Sequence, residues 1–147
     1  LDIEENILPT CEKLGIGLVA YSPLGRGFLS GSITRRSDLE DNDWRLGNPR
    51  FSEENFAHNL TLVKQVKALA AEKHCTPAQL ALAWLLNSTY NVVPIPGTRH
   101  VDRLTENAGA TSITLAPSDI QALREMIDAI EVKGTRYPQA AMSLLNR

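Results

Sequence analysis

Two short apolar runs constrain this chain more than any other feature. Ile16-Gly17-Leu18-Val19-Ala20 and Val92-Val93-Pro94-Ile95 both lack the polar–apolar alternation of a strand that faces water on one side. Unbroken apolar strands are those covered on both faces, as in parallel sheets flanked by helices. Each run follows a helical pattern and leads into a glycine-bearing loop, which is the grammar of an α/β fold. Pro94 weakens the second run, because proline donates no ladder hydrogen bond.

Helical spacing fills most of the rest. Ile3, Ile7, Leu8, Cys11 and Leu14 recur at that spacing, and Gly15 falls where helices commonly end. Residues 56–73 read as an amphipathic helix through Leu60, Val63, Val66, Leu69 and Ala70, with His74-Cys75 as its C-terminal cap rather than a metal pair. Thr76-Pro77 supplies an N-cap and a first turn for residues 78–86, which are apolar nearly all round and therefore predicted to be buried. Further helices are expected from about Arg99 to Gly109 and from Pro117, the latter with Ile120, Leu123, Ile127 and Ile130 on one side. Residues 26–54 form a long polar stretch of the kind that serves as a lid or binding loop. Residues 131–147 read as an irregular tail with weak helical character from Ala140 to Leu145.

The 147 residues match one domain of roughly 150. Net charge is −2 and no polybasic run occurs, which argues against nucleic acid and anionic membrane as partners. No apolar stretch approaches the roughly 20 residues that span a bilayer. Cys11 and Cys75 lie far apart without a CxxC pattern, as in a reduced, cytoplasmic protein. The chain opens on Leu1 inside a helical pattern, with no signal-peptide layout. Two strands cannot close a barrel of about 250 residues. The expectation is a C-terminal portion of something longer.

Two segments carry candidate chemistry. Tyr21-Ser22-Pro23-Leu24-Gly25-Arg26-Gly27 follows the first strand, where ligands sit in parallel α/β folds. Glycines there let a phosphate approach the backbone. The spacing GxGxxxG is not the GxGxxG of a dinucleotide turn, and a simple tight turn that needs glycine is the competing reading. The second segment is Pro96-Gly97-Thr98-Arg99-His100, running into a helix on which Arg103, Glu106 and Asn107 share a face with Arg99, opposite Val101, Leu104 and Ala108. Cations at a helix amino end are unfavourable by about 0.3–1 kcal/mol each. A docked anion would relieve that misfit; so would neutralisation by Asp102 and Glu106 on a solvated face. No HExxH, Walker A or GxSxG motif occurs, and no metal site is expected.

Three ordered motifs strongly resemble the aldo-keto reductases. They are Gly15-Ile16-Gly17-Leu18-Val19-Ala20-Tyr21-Ser22-Pro23-Leu24-Gly25-Arg26-Gly27, then Thr76-Pro77-Ala78-Gln79-Leu80-Ala81-Leu82-Ala83-Trp84, then Val93-Pro94-Ile95-Pro96-Gly97-Thr98-Arg99, and the ending Gly134-Thr135-Arg136-Tyr137-Pro138 resembles bacterial members. The resemblance implies the C-terminal part of a (β/α)8 TIM barrel: its last two strands with their helices and two auxiliary helices, residues 26–54 as a cofactor-covering loop, and NADPH as cofactor. It implies that Tyr21 stacks on the nicotinamide and that Ser22, Leu24, Gly25, Arg26 and Gly27 surround the pyrophosphate. Thr98, Arg99 and Arg103 would lie near the 2′-phosphate and Glu106 and Asn107 at the adenine, with Pro96 and Gly97 also among the cofactor-binding residues. Many relatives carry a lysine where this chain has Gly97, so Arg99, His100 and Arg103 are left to neutralise the phosphate.

The family's catalytic Asp, Tyr, Lys and His belong to earlier strands and have no counterpart here. The implied activity is reduction of a small aldehyde or ketone to an alcohol, with the N-terminal part of the barrel supplied by the same or another chain. A non-catalytic nucleotide-binding or interaction fragment is the alternative.

Overall fold

The computed structural model describes residues 2–145. Leu1, and Asn146 and Arg147 of the expected tail, lie outside the described residues. Strands β1 (Leu18–Ala20) and β2 (Val92–Pro94) pair in parallel, with Leu18 opposite Val92 and Ala20 opposite Pro94. Pro94 does not end the pairing, because the Ile95 amide donates to the Ala20 carbonyl at 3.3 Å. Gly17 lies against Asn91, whose Nδ2 would be 3.0 Å from any Cβ built there.

The strands are not covered on both faces, contrary to the expectation from their composition. Leu18, Ala20, Val92 and Pro94 are half-buried, whereas Val19 is 60% and Val93 53% exposed. Side chains alternate across a strand. Helix α3 (Pro77–Leu86) packs against β2, and nothing among the described residues covers the Val19–Val93 face.

Helix α1 (Ile7–Lys13) precedes β1 and ends in a Schellman pattern: Gly15, at φ 66°, donates to the Glu12 carbonyl and Ile16 to that of Cys11. Ile3 lies apart from α1, in a short 3-10 turn (Asp2–Glu4). Helix α2 (Glu53–Glu72) begins before the expected Phe56, because Ser52 accepts from the Asn55 amide and Glu53 and Glu54 complement the helix dipole. It ends with His74 in the left-handed region (φ 53°), donating to Ala71, and Cys75 donating to Ala70, the bond pattern of a cap.

Helix α3 is the hub. Thr76 and Gln79 cap its start reciprocally, and it touches α2, β2 and α4 (Val101–Gly109). Its Leu80 and Ala83 join Val66, Ala70, Leu115 and Leu123 in one apolar core. Helix α5 (Pro117–Ala129) closes that core and is tied to the end of α2 by Lys73 and Asp119, 2.6 Å apart. A short helix, α6 (Gln139–Met142), lies in the tail.

The stretch 26–52 has no α-helix or strand, yet it is not an open loop. It folds as 3-10 turns at Phe28–Ser30, Arg36–Asp38, Trp44–Gly47 and Pro49–Phe51 around a core of its own. That core comprises Phe28, Ile33, Leu39 and Phe51 against Phe56 and Val63 of α2. Phe28 meets Phe51 and Phe56 edge-on, with ring centres 5.2 and 5.4 Å apart. Edge-on pairs contribute about 0.5–1.5 kcal/mol beyond burial.

Leu80 is fully buried, so Leu80→Ala should lower unfolding stability by about 2–5 kcal/mol in urea denaturation. A loss below about 1 kcal/mol would show that α3 is not the hub.

Candidate nucleotide site

Parallel pairing places the segments after both strands at the same edge of the sheet. Tyr21 directly follows β1, and Ile95 and Pro96 follow β2. The two candidate segments are therefore neighbours through the register of the strands.

The loop 21–27 is a tight, internally bonded turn. Gly25 donates to Ser22, Gly27 to Leu24, and Arg26 donates its amide to the Ser22 hydroxyl at 3.2 Å. Ser22 and Arg26 hold φ values of 53° and 62°, in the left-handed region that costs a non-glycine residue about 1–2 kcal/mol. Gly25 and Gly27 take the same region without that cost. Tyr21 presents its ring to solvent, 71% exposed.

Beside it opens a pocket of about 410 Å³ lined by Tyr21, Arg26, Glu40, Asn42, Asp43, Trp44 and Arg45. Of these, only Tyr21 and Arg26 were singled out from the sequence. The missed signal is Trp44, the single tryptophan of the stretch 26–54. Arg45 is consumed internally: it pairs with Asp43 at 2.6 Å and donates to the Arg26 carbonyl at 3.0 Å. That pairing holds the Asp43 carboxyl below the ordinary carboxylate range. Asp38, which accepts from the Thr34 and Arg35 amides, is pulled down to about 2.

The second segment differs from expectation in two respects. Helix α4 begins at Val101, so Arg99 stands before it rather than on its surface. Its apolar side is the exposed one: Val101 is 76% and Leu104 59% exposed, while Asn107 and Ala110 are buried. The cause is α3, whose Gln79 donates to the Glu106 carbonyl at 3.0 Å and sits against Gly109, pinning the opposite side of α4. No side chain caps the amino end of α4, and the Thr98 hydroxyl accepts instead from the His100 amide before it. Arg99 and Arg103 are exposed, and neither forms an ion pair with Asp102 or Glu106. The Asn107 side chain is buried and makes no hydrogen bond among the described residues. Gly97 has open space where a Cβ would go.

The site thus combines an exposed aromatic ring, a glycine-rich turn and, at an uncapped helix start, guanidinium groups with no ion pair among the described residues. Among the described residues there is no cluster of three potential metal ligands, and no helix is long and apolar enough to cross a membrane. The pattern of the Aldo/keto reductase family matches residues 1–128, and this chain belongs to that family. It is 41% identical over 140 residues to the aldo-keto reductase yakc (NADP+) of Schizosaccharomyces pombe, covering 95% of this chain and 41% of that protein. It superimposes on a glycerol dehydrogenase from Gluconobacter oxydans with a TM-score of 0.80 at 24% identity, over 91% of this chain and 41% of that one, a likeness of fold. A thermostable aldo-keto reductase solved with the inhibitor epalrestat aligns with a TM-score of 0.53 at 31% identity, over 85% of this chain and 35% of that one. The chain spans about two fifths of the length of these relatives.

The carboxylates with lowered pKa give the loop a pH dependence of known sign. A depressed folded-state pKa adds stability above the unfolded value, near 3.9, and that stability disappears as pH falls through the folded value. NMR titration should find Asp38 ionising near 2, with the 34–38 turn and the Asp43–Arg45 pair intact at pH 5 and loosening only in stronger acid. Loosening already at pH 5 would contradict these contacts.

Proposed function

We propose that this chain is the C-terminal portion, residues 1–147, of an NADPH-dependent barrel reductase that converts an aldehyde or ketone to an alcohol, and that it supplies much of the cofactor site. The observation that carries this reading is the pair of cations Arg99 and Arg103, without an ion pair among the described residues, at the uncapped start of α4 in a chain of the aldo/keto reductase family. A helix start with free amides and guanidinium groups is complementary to a phosphate dianion.

The donor set fits the cofactor. Thr98, Arg99 and Arg103 would hold the 2′-phosphate, with Pro96 and Gly97 beside them in the cofactor site. Glu106 and the side-chain amide of Asn107 would hold the adenine. Ser22, Leu24, Gly25, Arg26 and Gly27 would surround the pyrophosphate, and the exposed ring of Tyr21 would be the platform for the nicotinamide. When bound, NADPH supplies a hydride to the carbonyl carbon. The segment 26–54 would cover the cofactor, shielding the site from water.

Proton delivery to the carbonyl oxygen is assigned to residues outside these 147, so the chain alone is proposed to be inactive. The uncovered face of Val19 and Val93 is where the N-terminal part of the barrel, in the same or another chain, would pack. The compartment is proposed to be cytoplasmic, in keeping with Cys11 and Cys75 both being free thiols.

In the full-length protein, Arg103→Ala should weaken NADPH binding about tenfold or more while changing NADH binding much less, the size expected for a lost charged hydrogen bond. Gly97→Lys, which meets no obstacle, should shift preference further towards NADPH. Isothermal titration with both nucleotides checks this, and equal losses for the two in Arg103→Ala would overturn the 2′-phosphate assignment.

A further inference from the structure

The residues after α5 have little secondary structure, yet they are held against the loop at many points. The tail offers backbone carbonyls, and the loop and α2 offer side chains. Asn59, buried, donates to the Lys133 carbonyl at 2.9 Å and accepts from the Lys133 amide at 2.8 Å. Asn48, also buried, donates to the Arg136 carbonyl at 3.3 Å. Gly134, at φ 87°, passes so close to the chain at Pro49 that a Cβ would lie 2.6 Å from its carbonyl oxygen. Only glycine fits that crossing.

These bonds deliver Tyr137 to Arg26. The Arg26 guanidinium carbon lies 4.8 Å from the Tyr137 ring centre and 5.4 Å from that of Trp44, both within cation–π range. Its Nη1 donates to the Arg136 carbonyl at 2.8 Å, and its enclosed Nε has no partner among the described residues. Arg45 nearby is neutralised by Asp43, whereas Arg26 pairs with no carboxylate among the described residues. Aromatic faces hold a guanidinium in place without cancelling its charge, as a carboxylate would.

We propose that the tail is a strap over the loop and that Tyr137 is a positioning residue, fixing the Arg26 guanidinium beside Tyr21 so that its charge is free for a nucleotide's diphosphate. This rests on the reading of loop 21–27 as the pyrophosphate site, and it adds a second element on which cofactor affinity depends. Tyr137 itself touches Arg26 and acts through it.

Two measurements on the full-length protein test it. In the absence of nucleotide, amide exchange at Gly25 and Gly27 should quicken severalfold in Tyr137→Ala and stay near wild type in Tyr137→Phe, which keeps the ring. Unchanged exchange in Tyr137→Ala overturns the strap. In NADPH titrations, Tyr137→Ala should raise Kd about threefold to tenfold, the range of a cation–π contact. Tyr137→Phe should restore binding, and adding Tyr137→Ala to Arg26→Ala should cost nothing more. An equal loss from Tyr137→Ala with or without Arg26 would mean a general structural effect and overturn the positioning role. If Arg26→Ala alone binds NADPH like wild type, the pyrophosphate reading of the loop fails, and the positioning role falls with it; the exchange result still judges the strap separately.

Discussion

Everything at the candidate site depends on the parallel, in-register pairing of β1 with β2. Antiparallel pairing would send the Tyr21 turn and the Gly97 segment to opposite edges of the sheet. Parallel pairing brings them to one edge, and the Leu18–Val92 register sets how far each extends beyond it. The pairing is only three residues long, so its geometry is held from outside. Helix α3 braces β2 and pins α4 through Gln79, while the close approach of Gly17 to Asn91 keeps the strand starts together.

The two halves of the site are built on different physical terms. The turn after β1 is closed by its own hydrogen bonds, which offset the strain of two left-handed non-glycine residues. Such local strain persists only where surroundings over-determine it, and here the Phe28–Phe51–Phe56 core beneath the loop does so. The start of α4 is open instead, with cations unpaired among the described residues, no side-chain cap and space at Gly97. A closed turn beside such cations suits a long ligand with more than one anionic group, which is the logic behind the dinucleotide proposed here.

Much of this was legible in the sequence, for identifiable reasons. The strands follow from their apolar runs, the start of α3 from Thr76-Pro77, and the ends of α1 and α2 from Gly15 and His74. What was not legible depended on partners distant along the chain. The exposure of Val19 and Val93 depends on what packs over the sheet, and composition records only that they are apolar. The outward turn of Val101 and Leu104 is set by Gln79, 27 residues before its partner Glu106. Phe28, Ile33, Leu39 and Phe51 follow no period, so a folded loop read as a polar one. The bonds from Asn48 and Asn59 to the tail span 88 and 74 residues and leave no local signature.

The core claim is that two sequence segments, 75 or so residues apart, grip a single ligand because neighbouring strands run the same way. Backbone NMR of the full-length protein during NADPH addition tests this most directly. The account predicts that amides of Gly25 and Gly27 and those of Thr98 and Arg103 shift together along one saturation curve. Shifts confined to one segment, or two segments saturating at different concentrations, would contradict it.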